Sequence, residues 1–186
     1  MLVKRLLNQT LVFGLAALVV FVDQYTKYLV RAHVGVGQTW LPEAWQGLMP
    51  YARILHTENT GAAFGMFQAG GQIFAVTAVI VSALIIYYAA RLEPGLWWMR
   101  VTLGLQLGGA LGNLVDRLVR GPVLAGGPVT DFISVGSFAI FNVADASISM
   151  GVACLVILML FEAREARKTA PAAPPETIEA NGTPSA

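Results

Sequence analysis

The segment 131–161, DFISVGSFAIFNVADASISMGVACLVILMLF, is the most informative part of the sequence. Two carboxylates, Asp131 and Asp145, enclose a stretch whose only other strongly polar side chain is Asn142. After Asp145 comes an uncharged run that is long enough to continue across a bilayer. A carboxylate at such a position is costly in lipid, so it usually faces the protein interior or a water-filled cavity. The segment therefore predicts a membrane protein that holds two acids near one membrane surface.

The composition also indicates a membrane protein. Of the 186 residues, 56% are hydrophobic and 12% are charged, and the mean hydropathy is +0.64. Soluble domains carry about 25% charged residues. The net charge of +1, without basic runs outside the termini, gives no indication of a nucleic-acid partner. The single cysteine, Cys154, excludes an internal disulfide, and no metal-ligand spacing is present, so neither metal nor cofactor is predicted.

We predict an α-helical integral membrane protein with four transmembrane helices and a small β-rich or amphipathic outer cap. The predicted spans cover about residues 8–30, 72–90, 97–115 and 138–161. Each is close to the ~20 residues that cross a ~30 Å hydrocarbon core. Open sheets have no place in lipid, so these spans are expected to be helices.

The predicted cap covers residues 31–71, which are too many for a simple connector and include several turn-forming glycines and prolines. Within the cap, the run 51–56 could form a strand. Residues 1–168 are predicted to form a single membrane-embedded domain. Residues 169–186 are rich in Pro, Ala and polar side chains, which is typical of a disordered tail, here cytoplasmic.

The basic residues predict the orientation. An even number of spans places both termini on one side of the membrane. That side carries seven of the twelve Lys and Arg residues, namely Lys4, Arg5, Arg91, Arg100, Arg164, Arg167 and Lys168. Because cytoplasmic loops are enriched in Lys and Arg, both termini are predicted to be cytoplasmic.

Polar side chains from all four spans are predicted to meet at one level, the outer third of the membrane. At ~1.5 Å per helical residue, Asp23 lies roughly 22 Å and Asn113 roughly 24 Å from the inner ends of their helices. Asp145 lies roughly 10 Å below the outer start of the fourth span. The second span begins shortly after Asn59 and Gly61. This convergence is difficult to explain by unrelated structural residues.

The spacing of residues along a helix predicts that some of these side chains contact each other. Asp23 and Lys27 are four residues apart and share a helix face, as do Asn113 and Arg117. The structural alternatives are an ion pair that stabilises a helix end and ordinary hydrogen bonds between helices.

The third span has two further features. Asp116 is expected to face away from Asn113 and to contact Arg117, Arg120 or water. The span also has small residues four apart, which allow close helix packing: Gly104, Gly108 and Gly112.

Two carboxylates in a low-dielectric pocket share one proton, and their titrations become coupled. Such a pair can activate a water and protonate an amide, as in aspartic proteases. We expect Asp131, in a loop that turns back at Gly136, to approach Asp145 within reach of one water. A proton- or ion-coupled transporter and a purely structural membrane subunit are the alternatives.

Five sequence blocks, in order, carry a family resemblance. They are DQYTK at 23–27, NTGAAFG at 59–65, GGALGNLVDR at 108–117, TDFI at 130–133 and FNVAD at 141–145. This set closely resembles the lipoprotein signal peptidases, the type II signal peptidases of the bacterial cytoplasmic membrane. The resemblance covers about residues 5–165.

The resemblance implies which residues form the site. The family's catalytic pair matches Asp131 and Asp145 in this sequence. The positions that match the family's support and substrate-binding residues are Asp23, Lys27, Asn59, Gly61, Asn113, Arg117, Asn142 and Ala144. The sequence departs from the family pattern at Thr130, commonly a hydrophobic residue, and at Ala146-Ser147, usually the reverse order.

The resemblance also implies the activity. An aspartic endopeptidase of this family cleaves prolipoproteins before a diacylglyceryl-modified cysteine and is inhibited by the cyclic peptide globomycin. The implied partners are these precursors and membrane lipids, and the protein is expected to be a monomer. The implied location is the inner membrane, with the active site near the outer face.

Overall fold

The computed structural model describes residues 2–49, 51–61, 70–93, 95–121 and 126–169, except the side chains of 2–8, 166, 167 and 169. Within these described ranges the chain forms four helices, α1 (Leu2–His33), α2 (Gly71–Arg91), α3 (Trp97–Val119) and α4 (Val143–Thr169). The same ranges contain three strands, β1 (Thr39–Trp40), β2 (Ala52–Asn59) and β3 (Val129–Val135), and a 3₁₀ helix at Glu43–Leu48.

Three of the helices are long and apolar enough to cross a membrane: Gln9–His33, Gly71–Arg91 and Val143–Glu165. The predicted class, an α-helical membrane protein, is thereby confirmed. Helix α3 is not among the three, because its composition is more polar. It packs against each of the other three helices and buries its polar side chains, including Arg100, Asp116 and Arg117, inside the protein.

The glycines of α3 allow this central position. A Cβ at Gly108 would lie 2.6 Å from the Cβ of Val19 in α1, and one at Gly109 would lie 2.4 Å from the backbone oxygen of Ala144 in α4. Real Cβ atoms do not approach other atoms so closely, so only glycine fits at these crossings. The predicted packing role of the small residues in this span is borne out.

The predicted β-rich cap contributes β1 and β2 to a three-stranded antiparallel sheet in the order β1-β2-β3, whose third strand lies outside the predicted cap. Strand β2 is the centre of the sheet and begins close to the predicted run 51–56. Its pairing with β3 has an irregularity between Ile54 and Thr57, after which Thr57 lies opposite Asp131. The far edge of β3 is covered by a bridge between Ile133 and Phe141.

The start of the fourth helix differs from the prediction. The span was expected from about residue 138, but α4 begins at Val143, because Phe141 pairs with Ile133 of β3 and Asn142 caps the helix. The chain returns through a turn in which Gly136 has φ +52°, as its predicted role required. Asp145 therefore lies in the first turn of α4, and the depth of roughly 10 Å inferred above is wrong. The predicted tail beyond Thr169 lies outside the described residues.

We expect Gly108→Ala to destabilise the helix bundle, because the added methyl group overlaps Val19 and Ala16 of α1. Overpacking of this kind costs about 1–3 kcal/mol. The matched control is Gly14→Ala in α1, whose methyl group meets no described atom within 4 Å. Thermal unfolding in detergent should show a lower midpoint for the first variant only. Equal midpoints would contradict the packing argument.

Candidate active site

The N-terminus of α4 holds one of the two predicted catalytic carboxylates. The Asn142 side-chain oxygen accepts the backbone N–H of Asp145 at 3.0 Å, and the Asp145 Oδ2 accepts the backbone N–H of Asn142 at 3.2 Å. This reciprocal arrangement resembles a capping box and satisfies backbone donors that the first helical turn leaves unpaired. The other oxygen of Asp145 accepts a hydrogen bond of 2.7 Å from the Asn113 side-chain amide.

The second carboxylate comes from the sheet, and its predicted position in a loop was wrong. Asp131 lies in β3 and is only 3% exposed. Its Oδ2 accepts from the Asn59 amide of β2 at 2.9 Å, and its Oδ1 accepts from the Asn142 amide at 2.6 Å. Asn142 therefore contacts both carboxylates, one through its side-chain amide and the other through its backbone N–H.

A cavity of about 310 Å³ lies beside these groups. Asp131, Asp145, Asn59, Asn113 and Arg117 line its polar side. The remaining wall is mainly apolar and comes from α2, α3, α4 and the segments that flank them: Phe74, Ala78, Val81, Ala110, Leu114, Val129, Ile140 and Ile148. Both carboxylates thus open onto one cavity that has an apolar and a polar side, which is typical of a ligand site.

The surroundings of Asp131 favour its protonated form. Burial, and after it the charge of Asp145, raise the pKa of Asp131 to about 6. The hydrogen bonds from Asn59 and Asn142 and the charge of Lys27 act in the opposite direction. An acid that gains a proton near neutral pH beside a second carboxylate is a common arrangement in acid–base catalysis.

A buried lysine supports the site from α1. The Lys27 ammonium contacts Asp23 at 2.8 Å, Asn113 Oδ1 at 2.9 Å and Asp116 at 3.1 Å, and the lysine is 0% exposed. The predicted Asp23–Lys27 pair is thus present inside the protein and not at a solvated helix end. The second oxygen of Asp23 accepts the backbone N–H of Ala144 at 2.9 Å, which connects α1 to the start of α4.

The expected partners of Asp116 were wrong. Asp116 pairs with Lys27 and with Arg31, the latter at 3.4 Å, and its Oδ2 accepts the Thr130 N–H at 3.2 Å. These partners come from α1 and β3. The prediction used only the residue spacing within α3, which cannot identify partners in other elements. Arg31 follows Lys27 by four residues, and this same-face spacing is the signal that could have identified it as a neighbour.

Arg117 and Gly61 are the remaining residues of the predicted site. The Arg117 guanidinium donates to the backbone oxygen of Gly61 at 3.0 Å and lies 5.3 Å from the ring centroid of Phe74. The Gly61 N–H donates to the Asn59 side-chain oxygen at 2.9 Å. Through these contacts every residue of the predicted site joins one hydrogen-bonded network. The network shows that the residues are neighbours, and their individual roles stay predictions.

Comparisons with known proteins agree with this geometry. A family model described as signal peptidase (SPase) II matches residues 15–161. The chain belongs to the signal peptidase II family. A lipoprotein signal peptidase of Geobacillus thermodenitrificans is 40% identical over 147 residues, covering 79% of this chain and 88% of the relative. A lipoprotein signal peptidase of Shouchella clausii is 36% identical over 155 residues, covering 83% of this chain and 95% of the relative.

Two solved structures share the fold of this signal peptidase II family member. Both are described as bacterial membrane enzymes determined by the in meso method. The first gives a TM-score of 0.72 at 27% identity and covers 88% of this chain and 94% of its own. The second gives a TM-score of 0.67 at 29% identity and covers 80% of this chain and 92% of its own. The family resemblance inferred from the sequence blocks is confirmed, and the chain is an aspartic-type peptidase rather than a transporter.

Replacing Lys27 by Met should destabilise the protein strongly, because Asp23 and Asp116 would remain buried without their shared cation. Breaking a buried pair costs about 3–5 kcal/mol. The matched variant is Arg31→Met, which removes a longer contact to Asp116 from a side chain that is 28% exposed. Such partly exposed pairs contribute about 0–1 kcal/mol. Thermal unfolding of both variants in detergent measures the difference, and similar losses would contradict this account.

Proposed function

We propose that this protein removes the signal peptides of prolipoproteins by hydrolysing the amide bond before a diacylglyceryl-modified cysteine. Asp131 and Asp145 are the catalytic pair in this proposal. The observation that supports it most directly is that both carboxylates contact Asn142 and open onto one cavity. The names of the relatives, lipoprotein signal peptidases, supply the substrate class.

The two acids start the reaction in different protonation states. Burial and the neighbouring Asp145 charge favour the proton on Asp131, whose pKa is raised to about 6. Asp145 accepts hydrogen bonds from a side-chain amide and from a backbone N–H at the start of α4, so both of its oxygens act as acceptors. Asp145 is therefore assigned as the general base and Asp131 as the general acid.

The chemistry follows from this assignment. Asp145 takes a proton from a water whose oxygen bonds to the scissile carbonyl carbon, while Asp131 protonates the carbonyl oxygen. The resulting gem-diol collapses when the carbon–nitrogen bond breaks. The departing cysteine nitrogen then receives the proton from Asp145, and one diol hydroxyl returns a proton to Asp131, which restores the starting state.

The cavity suits a substrate that is part peptide and part lipid. Its polar side presents Asn59 and Arg117, which are assigned to the peptide. Its apolar wall, which includes Phe74, Val81 and Ile148, is assigned to apolar parts of the precursor. A lipid-linked cysteine can reach such a site from the bilayer without crossing bulk water.

The proposed topology places the protein in the cytoplasmic membrane as a monomer, with both termini inside and the site near the outer face. Helix α3 is included as the fourth span, since its polar side chains are buried against other helices. The exposed Trp97 and Trp98 at its start, beside Arg100, suit the inner membrane interface.

Asp131→Asn and Asp145→Asn should each abolish cleavage of a diacylglyceryl-modified precursor, because either change removes one proton-transfer group. Loss of such a group lowers the rate by about 100-fold or more. Purified protein in detergent is incubated with the lipid-modified precursor and with the same precursor unmodified, and the products are separated by gel electrophoresis. The parent enzyme should cleave only the modified form.

The control variant is Glu43→Gln, an exposed acid in the cap that has no place in the site. It should cleave like the parent. Thermal unfolding of the two asparagine variants establishes that they are folded. Near-normal turnover by either of them would exclude the catalytic pair, and equal cleavage of the unmodified precursor would exclude the lipid requirement.

Asn59→Ala should move the alkaline limb of the kcat/KM profile to higher pH. The Asn59 hydrogen bond lowers the pKa of Asp131 from the value that burial would otherwise give. Its removal raises that pKa, so Asp131 keeps its catalytic proton to higher pH. The matched control is Thr57→Val, because the Thr57 hydroxyl donates to the backbone oxygen of Asp131 and not to its carboxylate. An unmoved limb in Asn59→Ala, or a similar shift in both variants, would contradict the assignment of Asp131 as the acid.

A further inference from the structure

Thr130 has an unusual environment for the residue before a catalytic aspartate. Its side chain is 0% exposed, and its hydroxyl oxygen accepts hydrogen bonds from two arginines, Arg120 at 2.8 Å and Arg31 at 3.1 Å. Successive strand residues point to opposite faces of a sheet. The two guanidinium groups therefore lie on the face of β3 opposite the Asp131 carboxylate.

The Thr130 hydroxyl connects two ion pairs. On one side Arg31 pairs with Asp116 of α3. On the other side Arg120, which follows α3, pairs with Glu58 of β2 and donates to the backbone oxygen of Pro128 at 3.0 Å. Two like charges converge on this neutral oxygen, and each of them also contacts a carboxylate, which for Arg31 is shared with Lys27. A hydrophobic side chain here would leave both donors without this acceptor.

We infer that Thr130 is a positioning residue for Asp131, an inference that rests on the proposed function. Asp131 must keep a 2.6 Å contact to Asn142, which lies directly before α4 and outside the sheet. Its strand is fixed to β2 by the ladder and to the segment before Asn142 by a β-bridge, and the contacts of Arg31 and Arg120 add links to α1 and to the end of α3. The hydroxyl ties β3 to α1 and to the end of α3 one residue before the carboxylate.

The bonds of Thr130 divide into those that need its side chain and one that does not. The Thr130 N–H donates to Asp116 whatever the side chain is. Thr130→Val keeps this bond and the branched shape and replaces only the hydroxyl, by a methyl group. Thr130→Ser keeps the hydroxyl and removes a methyl group. The two variants therefore separate the acceptor from the packing.

We expect Thr130→Val to lower kcat about tenfold, since a misplacement of 1 Å can cost about 100-fold. KM should change less than about twofold, because the substrate side of the cavity is unaltered. Thr130→Ser should recover most of the lost kcat. Arg120→Met removes one of the two donors to the Thr130 hydroxyl together with the Glu58 and Pro128 contacts, so it should also lower kcat. The loss in the double variant should be smaller than the product of the two single losses, because the bond that both variants remove is lost only once.

All variants are assayed on the diacylglyceryl-modified precursor, with Asp131→Asn alongside, well below their unfolding temperatures. A Thr130→Val enzyme with unchanged kcat, a loss that Ser does not restore, or losses that multiply with Arg120→Met would each overturn the inference. An active Asp131→Asn would overturn the proposed function itself. An inactive Asp131→Asn together with a fully active Thr130→Val would overturn only the role of Thr130.

Discussion

The arrangement of the site depends on one buried cation. The Lys27 ammonium is withdrawn from solvent, so its three contacts to Asp23, Asn113 and Asp116 must replace its hydration. Because Asn113 Oδ1 accepts from Lys27, the Asn113 amide nitrogen is directed at Asp145. Lys27, together with the Asn142 amide that donates to the same oxygen at 3.0 Å, thus fixes the orientation of an amide in another helix and, through it, one carboxylate of the site.

Two carboxylates accept backbone donors at the start of α4, and one of them, Asp145, also has a proposed chemical task. Asp145 accepts the N–H of Asn142, and Asp23 accepts the N–H of Ala144 two residues later. Each contact satisfies a helix N-terminus and places negative charge where the helix dipole favours it. Helix stability and site geometry are consequently connected, and changes at this terminus affect both.

Sequence patterns predicted the membrane class, the approximate positions of three apolar helices and the residues that come together at the site. The period of a helix shows which residues share a face, so Asp23 and Lys27 could be paired. It does not show how one helix is rotated against another, and therefore the contacts of Asp116 to α1 and β3 were missed. The start of α4 was placed too early because an apolar run such as 138–141 does not show that Phe141 pairs with Ile133 of β3.

The two carboxylates belong to different architectural units, since Asp131 is part of the sheet and Asp145 is part of the helix bundle. Neither unit alone contains the pair. A chain that is still being inserted, with α4 not yet in place, has no complete site however many of its residues have been synthesised. The two carboxylates therefore come together only when α4 is in place beside the sheet, so the pair depends on the complete fold.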